Sequence, residues 1–378
     1  MKKDKRKKIA FNVSSINNWM GGVYYAHNMI NLILHSEELR DEYEIHVLTS
    51  PANAPVFQKY GNRIKLVEIN YGNSYLNSIY LVWYVHRHKI DYWYGLSLNL
   101  VERLIVKKVI MWIADFQYLH LPQYFSDFEL KMRDGGAKYM AKQKNTLVLS
   151  SNDAKKDFLM QYKNHKCKCM VVHFTSNIED EVLGITESEE RETLTKYNLY
   201  QQKYIYIPNQ FWQHKNHIVV LEMIEQYLSR KLENVIFVFT GQMNDYRNRE
   251  YTEKLKKYFA REDISQVTEN LGFLERKEQL VIMKNAAFLI QPSLFEGWGT
   301  VLEDAKVLDK RVILSDLPVH EEQKYEKCVL FKRTDAEDLL NKVELLLHEK
   351  SEDDLSKGLS RFHRDSQKYA EELARALK

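Results

Sequence analysis

Short apolar runs alternate with helical patterns along almost the whole chain of 378 residues. The runs are rich in Ile, Val, Leu and aromatic residues, which is typical of strands. In the first half they are residues 9–15, 44–49, 64–69, 109–115, 146–151 and 168–174, and in the second half 204–209, 234–241, 287–293, 311–316 and 328–331. Strands that are almost wholly apolar and separated by helices indicate parallel sheets covered on both faces.

Helical spacing of apolar residues fills the segments between these strands. Val23, Ala26, Ile30 and Leu34 lie on one helical face, and Ser151 or Asn152 is a plausible N-cap for the helix that follows residues 146–151. Helices are also predicted at 217–228, at 276–286 and, as two or three helices, from about residue 335 onward. The alternation predicts doubly wound α/β domains.

The chain is too long for one ordinary core, so two domains are expected. Residues 175–203 are polar and acidic and contain no apolar strand, which indicates a linker followed by a short helix. We therefore predict two Rossmann-like domains that face a central cleft.

Composition excludes several classes of protein. A hydrophobic content of 44%, a charged content of 28% and a net charge of +3 fit a soluble globular protein and give no case for a nucleic-acid partner. The basic start MKKDKRKK lacks the apolar segment of a signal peptide, and no stretch is long enough to span a membrane. We expect a cytoplasmic protein whose basic start is solvated, with peripheral attraction to an anionic membrane as the alternative.

The cysteines are sparse and odd in number, which favours a reducing compartment over a disulfide framework. Two of them, Cys167 and Cys169, lie near His165 and His173. Their spacing matches no common zinc pattern, and the segment has the pattern of a strand, so no metal is predicted there.

The most informative segment is QPSLFEGWGTVLEDAK at 291–306. A strand-like run leads in, a helix-like run leads out, and Glu296 and Glu303 enclose a loop with Gly297 and Gly299. Free backbone N–H groups at a helix start favour anions, and two carboxylates beside them could hold sugar or ribose hydroxyls. The alternative is that Glu303 is an ordinary first-turn acid and Glu296 an ordinary loop acid.

Three further loops follow predicted strands. Gly21 and Gly22 open the first helix, where a phosphate or only a tight turn would fit. Lys215 precedes a predicted helix start and suits a diphosphate, although a surface lysine is equally compatible. Asp115 is a better functional candidate than His120, for which a structural role is favoured. Ligands of such sheets bind at the carboxyl ends of strands, so the four loops are expected to converge.

The segments PNQFWQHKNH, FTGQ, LGFLERKEQL and QPSLFEGWGTVLEDAKVLDKRVILSDLPVHEEQ resemble the donor-binding half of the family-four retaining glycosyltransferases, which have the GT-B fold. NNWMGGVYYAHNMINLIL and WIADFQYLHLPQYF resemble the acceptor-side half. The resemblance implies an acceptor-side domain at 1–178 and a nucleotide-sugar donor domain at 179–355. The helix at 356–378 would cross back to the N-terminal domain.

This resemblance also implies roles for individual residues. Glu303 would bind the ribose hydroxyls of the donor, Glu296 would face the transferred sugar, and Lys215 would neutralise the leaving diphosphate. Asp115 and His120 would complete the catalytic set on the acceptor side. The implied donor-binding residues are Gly21, Gly22, Gln210, Asn216, Gly241, Phe273, Leu274, Gly297, Trp298, Gly299, Thr300, Val301 and Glu303.

Three positions depart from the family pattern. Six residues (GWGTVL) separate the two glutamates where the family has seven, which predicts a shorter loop near the sugar. Gln210 stands where an arginine is usual, and it can bond a phosphate without adding charge. Ala114 and Asp115 stand where the family often has His-Asp, and His120 is a candidate replacement for that histidine.

The implied reaction moves a sugar from a nucleotide-diphosphate sugar to a glycan or lipid-linked acceptor in bacterial surface-polysaccharide synthesis. Retention at the anomeric carbon would come from front-face attack, and no cofactor or metal is expected because no plausible D-x-D motif is present. A nucleotide-sugar epimerase of the same fold and a non-catalytic sugar-nucleotide-binding module stay open. The absent G-x-G-x-x-G fingerprint disfavours a nicotinamide oxidoreductase.

Overall fold

The structure is a computed structural model. It describes residues 6–14, 16, 19–70, 74–96, 106, 108–245, 247–350 and 352–378. Most of the basic N-terminal run, the end of the first predicted strand at Ser15, and Asn17 and Asn18 of the first glycine loop lie outside these residues.

The chain forms two compact units. The first contains Met1–Leu119, Ser126–Thr175 and His363–Lys378, and the second contains His120–Phe125 and Ser176–Phe362. Each unit is built around one sheet whose strand pairs are all parallel within the described residues. The predicted parallel α/β architecture is confirmed.

The first sheet has seven strands in the order β3-β2-β1-β4-β5-β6-β7. They are β1 (Lys7–Asn12), β2 (Tyr43–Thr49), β3 (Ile64–Glu68), β4 (Tyr92–Gly95), β5 (Lys108–Ile113), β6 (Thr146–Leu149) and β7 (Lys168–Val171). Phe11, Trp93 and Tyr94 in its centre are fully buried, as expected for strands covered on both faces.

Seven α-helices belong to the segments between these strands in the described residues. They are α1 (Met20–His35), α2 (Glu37–Arg40), α3 (Ala54–Gln58), α4 (Ser74–His88), α5 (Gln117–His120), α6 (Asp127–Ala141) and α7 (Asn152–Gln161). Ser151 is the N-cap of α7, with its hydroxyl accepting the Ala154 N–H at 3.1 Å, which decides between the two predicted caps.

The second sheet has six strands in the order β10-β9-β8-β11-β12-β13. They are β8 (Tyr204–Pro208), β9 (Ile236–Thr240), β10 (Thr268–Asn270), β11 (Phe288–Gln291), β12 (Val312–Ser315) and β13 (Cys328–Phe331). β8 sends Ile205 and Ile207 into one hydrophobic core and Tyr204 and Tyr206 into another. The two-residue period of a strand therefore fills a core on each face of the sheet.

The helices of the second half follow the same rhythm. They are α8 (Glu179–Leu183), α9 (Glu187–Lys196), α10 (His217–Ser229), α11 (Arg249–Phe259), α12 (Glu262–Ser265), α13 (Arg276–Asn285), α14 (Thr300–Val307), α15 (Pro318–Gln323), α16 (Ala336–His348) and α17 (Leu355–Leu377). The predicted linker region thus contains two short helices, α8 and α9, where one was expected.

Two strands were not predicted from the sequence. β4 has only four residues, YWYG, which is too short for a periodic signal. β10 has the polar sequence TEN and pairs only with β9 at the sheet edge. Both strands form because a neighbouring strand offers a hydrogen-bonding partner, which is information outside the local sequence.

Helix α17 contributes residues to both units. In the second unit, a Cβ on Gly358 would lie 2.0 Å from the carbonyl oxygen of Val307, so this close approach requires glycine. In the first unit, the backbone N–H and Nδ1 of His173 contact Oε2 of Glu372 at 3.0 and 2.9 Å. His173 is therefore engaged with a carboxylate of α17.

Candidate functional site

The centre of the second sheet is a topological switch point. The chain passes from β8 through β9 to β10 on one side and continues from β11 through β12 to β13 on the other. β8 and β11 are hydrogen-bonded neighbours, so their following loops leave the sheet side by side. Asn209 Nδ2 donates to Gln291 Oε1 at 2.8 Å and joins the two strand ends. Ligands of open α/β sheets bind at such a point.

Lys215 and Glu296 meet between these two loops. Lys215 ends the short 3₁₀ helix Gln213–Lys215, and its Nζ lies 2.6 Å from Glu296 Oε1. Ser293 Oγ donates to the same oxygen at 2.6 Å. The side chains of Lys215 and Glu296 are 19% and 12% exposed, so the pair is held within the protein but reaches solvent.

The surroundings keep Glu296 ionised. Burial would raise the pKa of this carboxyl, but the positive charge of Lys215, the nearby His320, and the hydrogen bonds from Lys215 and Ser293 lower the pKa to about 2. At neutral pH Glu296 is therefore a carboxylate that accepts hydrogen bonds. It is therefore suited to accept hydrogen bonds and not to donate a proton.

Helix α15 supplies a histidine behind this pair. His320 is buried, and its Nδ1 lies 2.9 Å from the carbonyl oxygen and 3.1 Å from the hydroxyl of Ser315. Ser315 Oγ donates to the Ser293 carbonyl at 2.6 Å. Burial lowers the pKa of His320 in spite of the opposing effect of Glu296. Sequence reasoning did not select His320, and only its place in the resembling segment pointed to it.

Asn216 fixes the loops by its backbone and its amide. Its φ of 56° is left-handed, a conformation that asparagine tolerates better than most residues. Its Nδ2 donates to the carbonyl oxygens of Pro292 at 3.1 Å and Arg333 at 2.8 Å. The side chain therefore holds the β11 loop and the segment after β13 in place.

The glycine loop leads directly into α14. Gly299 is the N-cap residue, and Thr300 and Val301 are the first two helical residues, whose N–H groups have no intrahelical acceptor. Gln323 of α15 contacts the cap from both sides: its Oε1 accepts the Gly299 N–H at 3.0 Å, and its Nε2 donates to the Gly299 carbonyl at 2.8 Å. The predicted glycine loop therefore leads into a helix start, and a side chain already bonds the Gly299 amide. Anion binding there stays a prediction.

Glu303 is 2% exposed and lies on the first turn of α14. Its Oε1 accepts hydrogen bonds from Lys306 Nζ at 2.8 Å and from Gln323 Nε2 at 2.7 Å. Lys306 is itself buried, and its Nζ lies 5.6 Å from the centroid of the buried Trp298 ring. The acid predicted to bind ribose therefore forms an ion pair with Lys306 in its own helix. Sequence analysis missed this pair, although the i, i+3 spacing of Glu303 and Lys306 is typical of helical ion pairs.

Two further predicted donor residues lie around the end of β9. Gln210 Oε1 accepts the Gln242 N–H at 2.8 Å, which joins the β8 and β9 loops. Gly241 has a φ of 129°, and a Cβ there would lie 2.4 Å from the Asn209 carbonyl oxygen. Glycine at 241 is required for the close approach of these two loops.

Phe273 and Leu274 have opposite environments. Phe273 is 66% exposed, whereas Leu274 is buried in the core of the second unit. An exposed aromatic ring beside a strand-end loop is available to a ligand, and Leu274 anchors the segment that presents it.

In the first unit, Gly21 and Gly22 open α1 beneath an indole ring. A Cβ on Gly22 would lie 2.6 Å from the ring of Trp19, and one on Gly21 would lie 3.0 Å from the Trp19 Nε1. The Trp19 ring is stacked on Trp112 with centroids 5.3 Å apart. The two glycines therefore let this tryptophan pack onto the helix start.

Asp115 and His120 fall in different units. Asp115 Oδ1 accepts the Gln117 N–H at 2.9 Å, a local turn bond at the end of β5. The segment His120–Phe125 belongs to the second unit. There the exposed His120 ring lies 5.3 Å from the Phe295 ring, centroid to centroid, next in sequence to Glu296.

The structure therefore brings part of the predicted set together around α15. His320 is linked to Glu296 through Ser315 and Ser293, and Gln323 joins Gly299 to Glu303. Across the described ranges, no group of three or more His, Cys, Asp and Glu side chains is arranged to hold a metal ion. In the same residues, no helix has the length and apolarity needed to cross a membrane.

The chain was compared with protein-family models and with curated protein sequences. Residues 189–361 match the family model described as glycosyl transferases group 1. No curated protein sequence matches the chain.

Solved structures with similar folds cover nearly the whole chain. Anabaena HepE in complex with UDP and glucose has a TM-score of 0.67 and 14% identity, with 97% of this chain and 95% of that chain covered. Sucrose-phosphate synthase from Thermosynechococcus elongatus has a TM-score of 0.67 and 12% identity, covering 98% and 97%. An α,α-trehalose-phosphate synthase from Burkholderia xenovorans has a TM-score of 0.67 and 10% identity, covering 99% and 100%. The chain therefore has the GT-B fold, and its residues 189–361 are similar to the glycosyl transferases group 1 family.

Proposed function

We propose that this protein is a retaining, metal-independent glycosyltransferase that moves a sugar from a nucleotide-diphosphate sugar to a hydroxyl acceptor. The observation that carries the proposal is the Lys215–Glu296 ion pair at the switch point of the second sheet, beside the start of α14. It supplies a cation for a leaving diphosphate and a carboxylate for sugar hydroxyls at adjacent positions.

Lys215 is the proposed stabiliser of the leaving group. Its ammonium is held by Glu296 but is not fully desolvated. A phosphate oxygen can therefore bind the ammonium, either beside the Glu296 carboxylate or in its place. The first-turn amides of Thr300 and Val301 add a second set of donors, since a helix start favours negative charge. A preorganised cation and oriented amides stabilise charge that develops in the transition state.

Glu296 is the proposed contact of the transferred sugar. As a carboxylate with a pKa near 2, it is suited to accept hydrogen bonds from sugar hydroxyls and to stabilise positive charge at the anomeric centre. We propose front-face attack in which the departing phosphate takes the acceptor proton, so that positioning and electrostatics supply most of the rate.

The first donors to test are uridine diphosphate sugars. HepE, which shares the fold, is described in complexes with UDP, with UDP-glucose, and with UDP and glucose. For the acceptor we propose a glycan or lipid-linked saccharide of surface-polysaccharide synthesis. WaaG, which also shares the fold with a TM-score of 0.57, is described as a glycosyltransferase of lipopolysaccharide biosynthesis. The contacts of Gly21, Gly22, Asp115 and His120 with substrate stay predictions.

The test combines a nucleotide-sugar panel with a matched pair of lysine variants. A donor is first found by the rise in melting temperature it causes, because a ligand of the folded state stabilises it. Transfer and slow hydrolysis of that donor are then followed in the presence of a chelator, with NMR assigning the anomeric configuration of the product.

Lys215→Ala is expected to lower turnover about 100-fold or more. Lys254→Ala, which changes an exposed lysine on α11, is expected to leave turnover unchanged. Inversion at the anomeric carbon, loss of activity with the chelator, epimerised donor without transfer, or equal turnover in the two variants would each contradict the proposal.

A further inference from the structure

Two cysteines stand two positions apart at the outer edge of the first sheet. Cys169 lies on β7, and Cys167 immediately precedes Lys168, the first residue of that strand. β7 is the last strand in the sheet order and pairs with β6. Residues i and i+2 of an extended chain lie on the same face, so the two cysteine side chains share one side. Lys168, whose Nζ donates to the Arg375 carbonyl of α17 at 3.1 Å, projects from the other side.

The two sulfur atoms are already in contact. Cys167 Sγ and Cys169 Sγ are 3.7 Å apart, and Cys169 Sγ lies 3.9 Å from the Cys167 carbonyl oxygen. A disulfide needs about 2.0 Å between its sulfurs and Cα atoms no more than about 6.8 Å apart. Two residues of extended chain span about 6.4–6.8 Å, which is within that limit. A bond between the two sulfurs therefore requires a local adjustment at the sheet edge and no approach of distant segments.

The surroundings favour a dithiol over a metal centre. His165 Nδ1 lies 3.1 Å from the Tyr162 carbonyl oxygen, and His173 Nδ1 lies 2.9 Å from Glu372 Oε2. Each nearby histidine is thus engaged with a partner of its own. Among the described residues, no group of three or more His, Cys, Asp and Glu side chains is arranged to hold a metal ion. Two adjacent thiols by themselves can lose two electrons as a pair.

The contact between the sulfurs also favours one thiolate. Hydrogen bonding to the Cys169 thiol lowers the pKa of Cys167, although burial acts in the opposite direction. The same contact raises the pKa of Cys169, because the pair keeps one proton after the first ionisation. A thiolate beside a thiol is the form in which a dithiol exchanges with disulfides.

The two sulfurs differ in their access to solvent. Cys169 is partly exposed, whereas Cys167 is 6% exposed. Lys155 of α7 is close enough for its positive charge to favour the Cys169 thiolate. An incoming reagent therefore meets Cys169 first, and Cys167 is placed behind it to complete the reaction.

The third cysteine provides an internal control. Cys328 begins β13 in the second unit. Burial raises the pKa of its thiol to about 12, so at neutral pH it is a thiol and not a thiolate. The Cys167–Cys169 pair and this single cysteine are therefore expected to differ in reactivity within one chain.

A disulfide in so short a ring is expected to be labile. It would enclose one residue, Lys168, and the stabilisation that comes from restricting the unfolded chain grows with loop length. The Cα separation in an extended strand is also at the upper end of the range for disulfides. Strained disulfides are the readily reduced ones, and disulfides of reducing compartments are mostly transient. The pair is therefore suited to reversible exchange and not to holding the fold.

We propose that Cys167 and Cys169 are a redox modification site that closes to a disulfide by exchange with a low-molecular-weight disulfide such as oxidised glutathione. Cys169 Sγ first forms a bond to one sulfur of this reagent, whose S–S bond breaks and releases one thiol. Cys167 Sγ then bonds Cys169 Sγ and releases the second thiol. The two cysteine protons end on the released thiols, and the two electrons that the pair loses reduce the reagent. The modification is independent of the proposed transfer reaction.

Incubation of the full chain in glutathione buffers of increasing oxidised fraction tests this site. The wild type is expected to go from three thiols to one, with the loss of two hydrogen atoms and no bound glutathione in the intact mass. Trypsin cuts after Lys168, so a bond between Cys167 and Cys169 is expected to link the two resulting peptides. Cys328 is expected to stay a thiol. Excess reduced glutathione is then expected to restore all three thiols without unfolding the protein.

Single-cysteine variants separate ring closure from simple thiol reactivity. Cys167→Ser is expected to stop at a mixed disulfide of Cys169 with glutathione, because the second attacking sulfur is absent. Cys169→Ser is expected to react about tenfold more slowly than the wild type, because Cys167 is buried. Cys328→Ser, the matched control, is expected to form the disulfide as the wild type does. Circular dichroism and melting temperature show whether each variant is folded.

Three results would overturn the proposal. The first is a wild type that keeps all three thiols, or carries only mixed disulfides, across the whole range of buffers. The second is a bond that includes Cys328 or links two chains. The third is a bond between Cys167 and Cys169 that persists in excess reduced glutathione. All three are measured on the wild type, so a variant that fails to fold does not weaken the test.

Discussion

The two glutamates of the 291–306 segment lie close in sequence but in contrasting surroundings. Glu296 follows β11 and pairs with Lys215, 81 positions away, and the side chains are 12% and 19% exposed. Glu303 lies on α14 and pairs with Lys306, three positions on, with side chains 2% and 8% exposed. The first pair joins two loops, whereas the second is built into one helix.

This difference separates an exchangeable contact from a fixed one. In the proposed function, a phosphate would reach Lys215 and replace its carboxylate partner, because the pair borders solvent. Glu303 and Lys306 are buried, and Gln323 holds Glu303 as well. One short helix, α15, lies behind both acids: His320 is linked to Glu296 through Ser315 and Ser293, and Gln323 bonds Glu303 directly. Two identical side chains of one motif are therefore expected to differ in stability and in catalysis.

The largest expected effect is on stability at the buried pair. Lys306→Met should lower the free energy of unfolding by about 3–5 kcal/mol, because it leaves the Glu303 charge buried without its cation. Lys215→Met should cost less, since water can reach the unpaired Glu296 carboxylate and Ser293 still bonds it. Urea denaturation of both variants measures the contrast. The double variant Glu303→Leu with Lys306→Met should recover most of the loss, and equal costs for the two single variants would remove the distinction.

Catalysis should show the opposite order. Glu296→Gln is expected to lower turnover about 100-fold, or about 2.7 kcal/mol in activation free energy, because the neutral amide cannot stabilise positive charge at the sugar. Stability should change less than in Lys306→Met. Steady-state kinetics with the identified donor provide the measurement, and Glu250→Gln on α11 serves as the exposed control. Turnover within twofold of the wild type would remove Glu296 from the site.

The tether between α15 and α14 should have an intermediate effect. Gln323→Ala removes two hydrogen bonds to Gly299 and one to Glu303, and we expect a loss of about 1–2 kcal/mol in the free energy of unfolding. Donor affinity should fall as well, because the helix start is less well fixed. Gln202→Ala, at an exposed position, should change neither quantity. Unchanged melting temperature and donor Kd would show that the tether is dispensable.

The smallest effect is the pH dependence that comes from Glu296. Its folded-state pKa of about 2 lies below the ordinary 4.5, so its contribution to stability is present above pH 4.5 and is lost as the pH falls towards 2. Between pH 5 and pH 4 the loss is about 0.7 kcal/mol. Wild-type protein should therefore lose this much more stability over that interval than Glu296→Gln. Parallel curves for the two proteins would contradict the depressed pKa.

Predictions from sequence were most successful where the residue pattern within a single strand, helix or loop was sufficient. Apolar runs identified most strands of both sheets, and the Gly299–Glu303 segment was recognised as a loop that leads into a helix start. β4 and β10 were missed because their short sequences have no period and their pairing depends on neighbouring strands. Local sequence patterns therefore predict long elements well. They predict short strands poorly, whether these lie at a sheet edge, as β10 does, or inside the sheet, as β4 does.

Site residues divide in the same way. Lys215 and Glu296 were selected singly, from loop position and resemblance, and their pairing came only from the structure. His320 and Gln323 were missed because neither has an unusual local spacing. Gln323 bonds residues at least 20 positions away, and His320 reaches the Glu296 loop only through Ser315 and Ser293. Asn216 and Gly241 were selected as residues that bind the sugar donor. In the structure both have a positive φ and lie against the main chain of a neighbouring loop, so both fix the loop conformation.

The sequence by itself determined the alternation of strands and helices, the parallel sheets and the glycine loop with its two acids. These features depend on side-chain periodicity and on short-range backbone preferences, which are properties of adjacent residues. Only the tertiary structure decided which lysine pairs with Glu296 and which with Glu303, and which residues of α15 lie next to them. It also decided which apolar side chains of the first unit remain exposed. Those outcomes depend on the strand order, which brings distant segments into contact and fixes how far water reaches each charge.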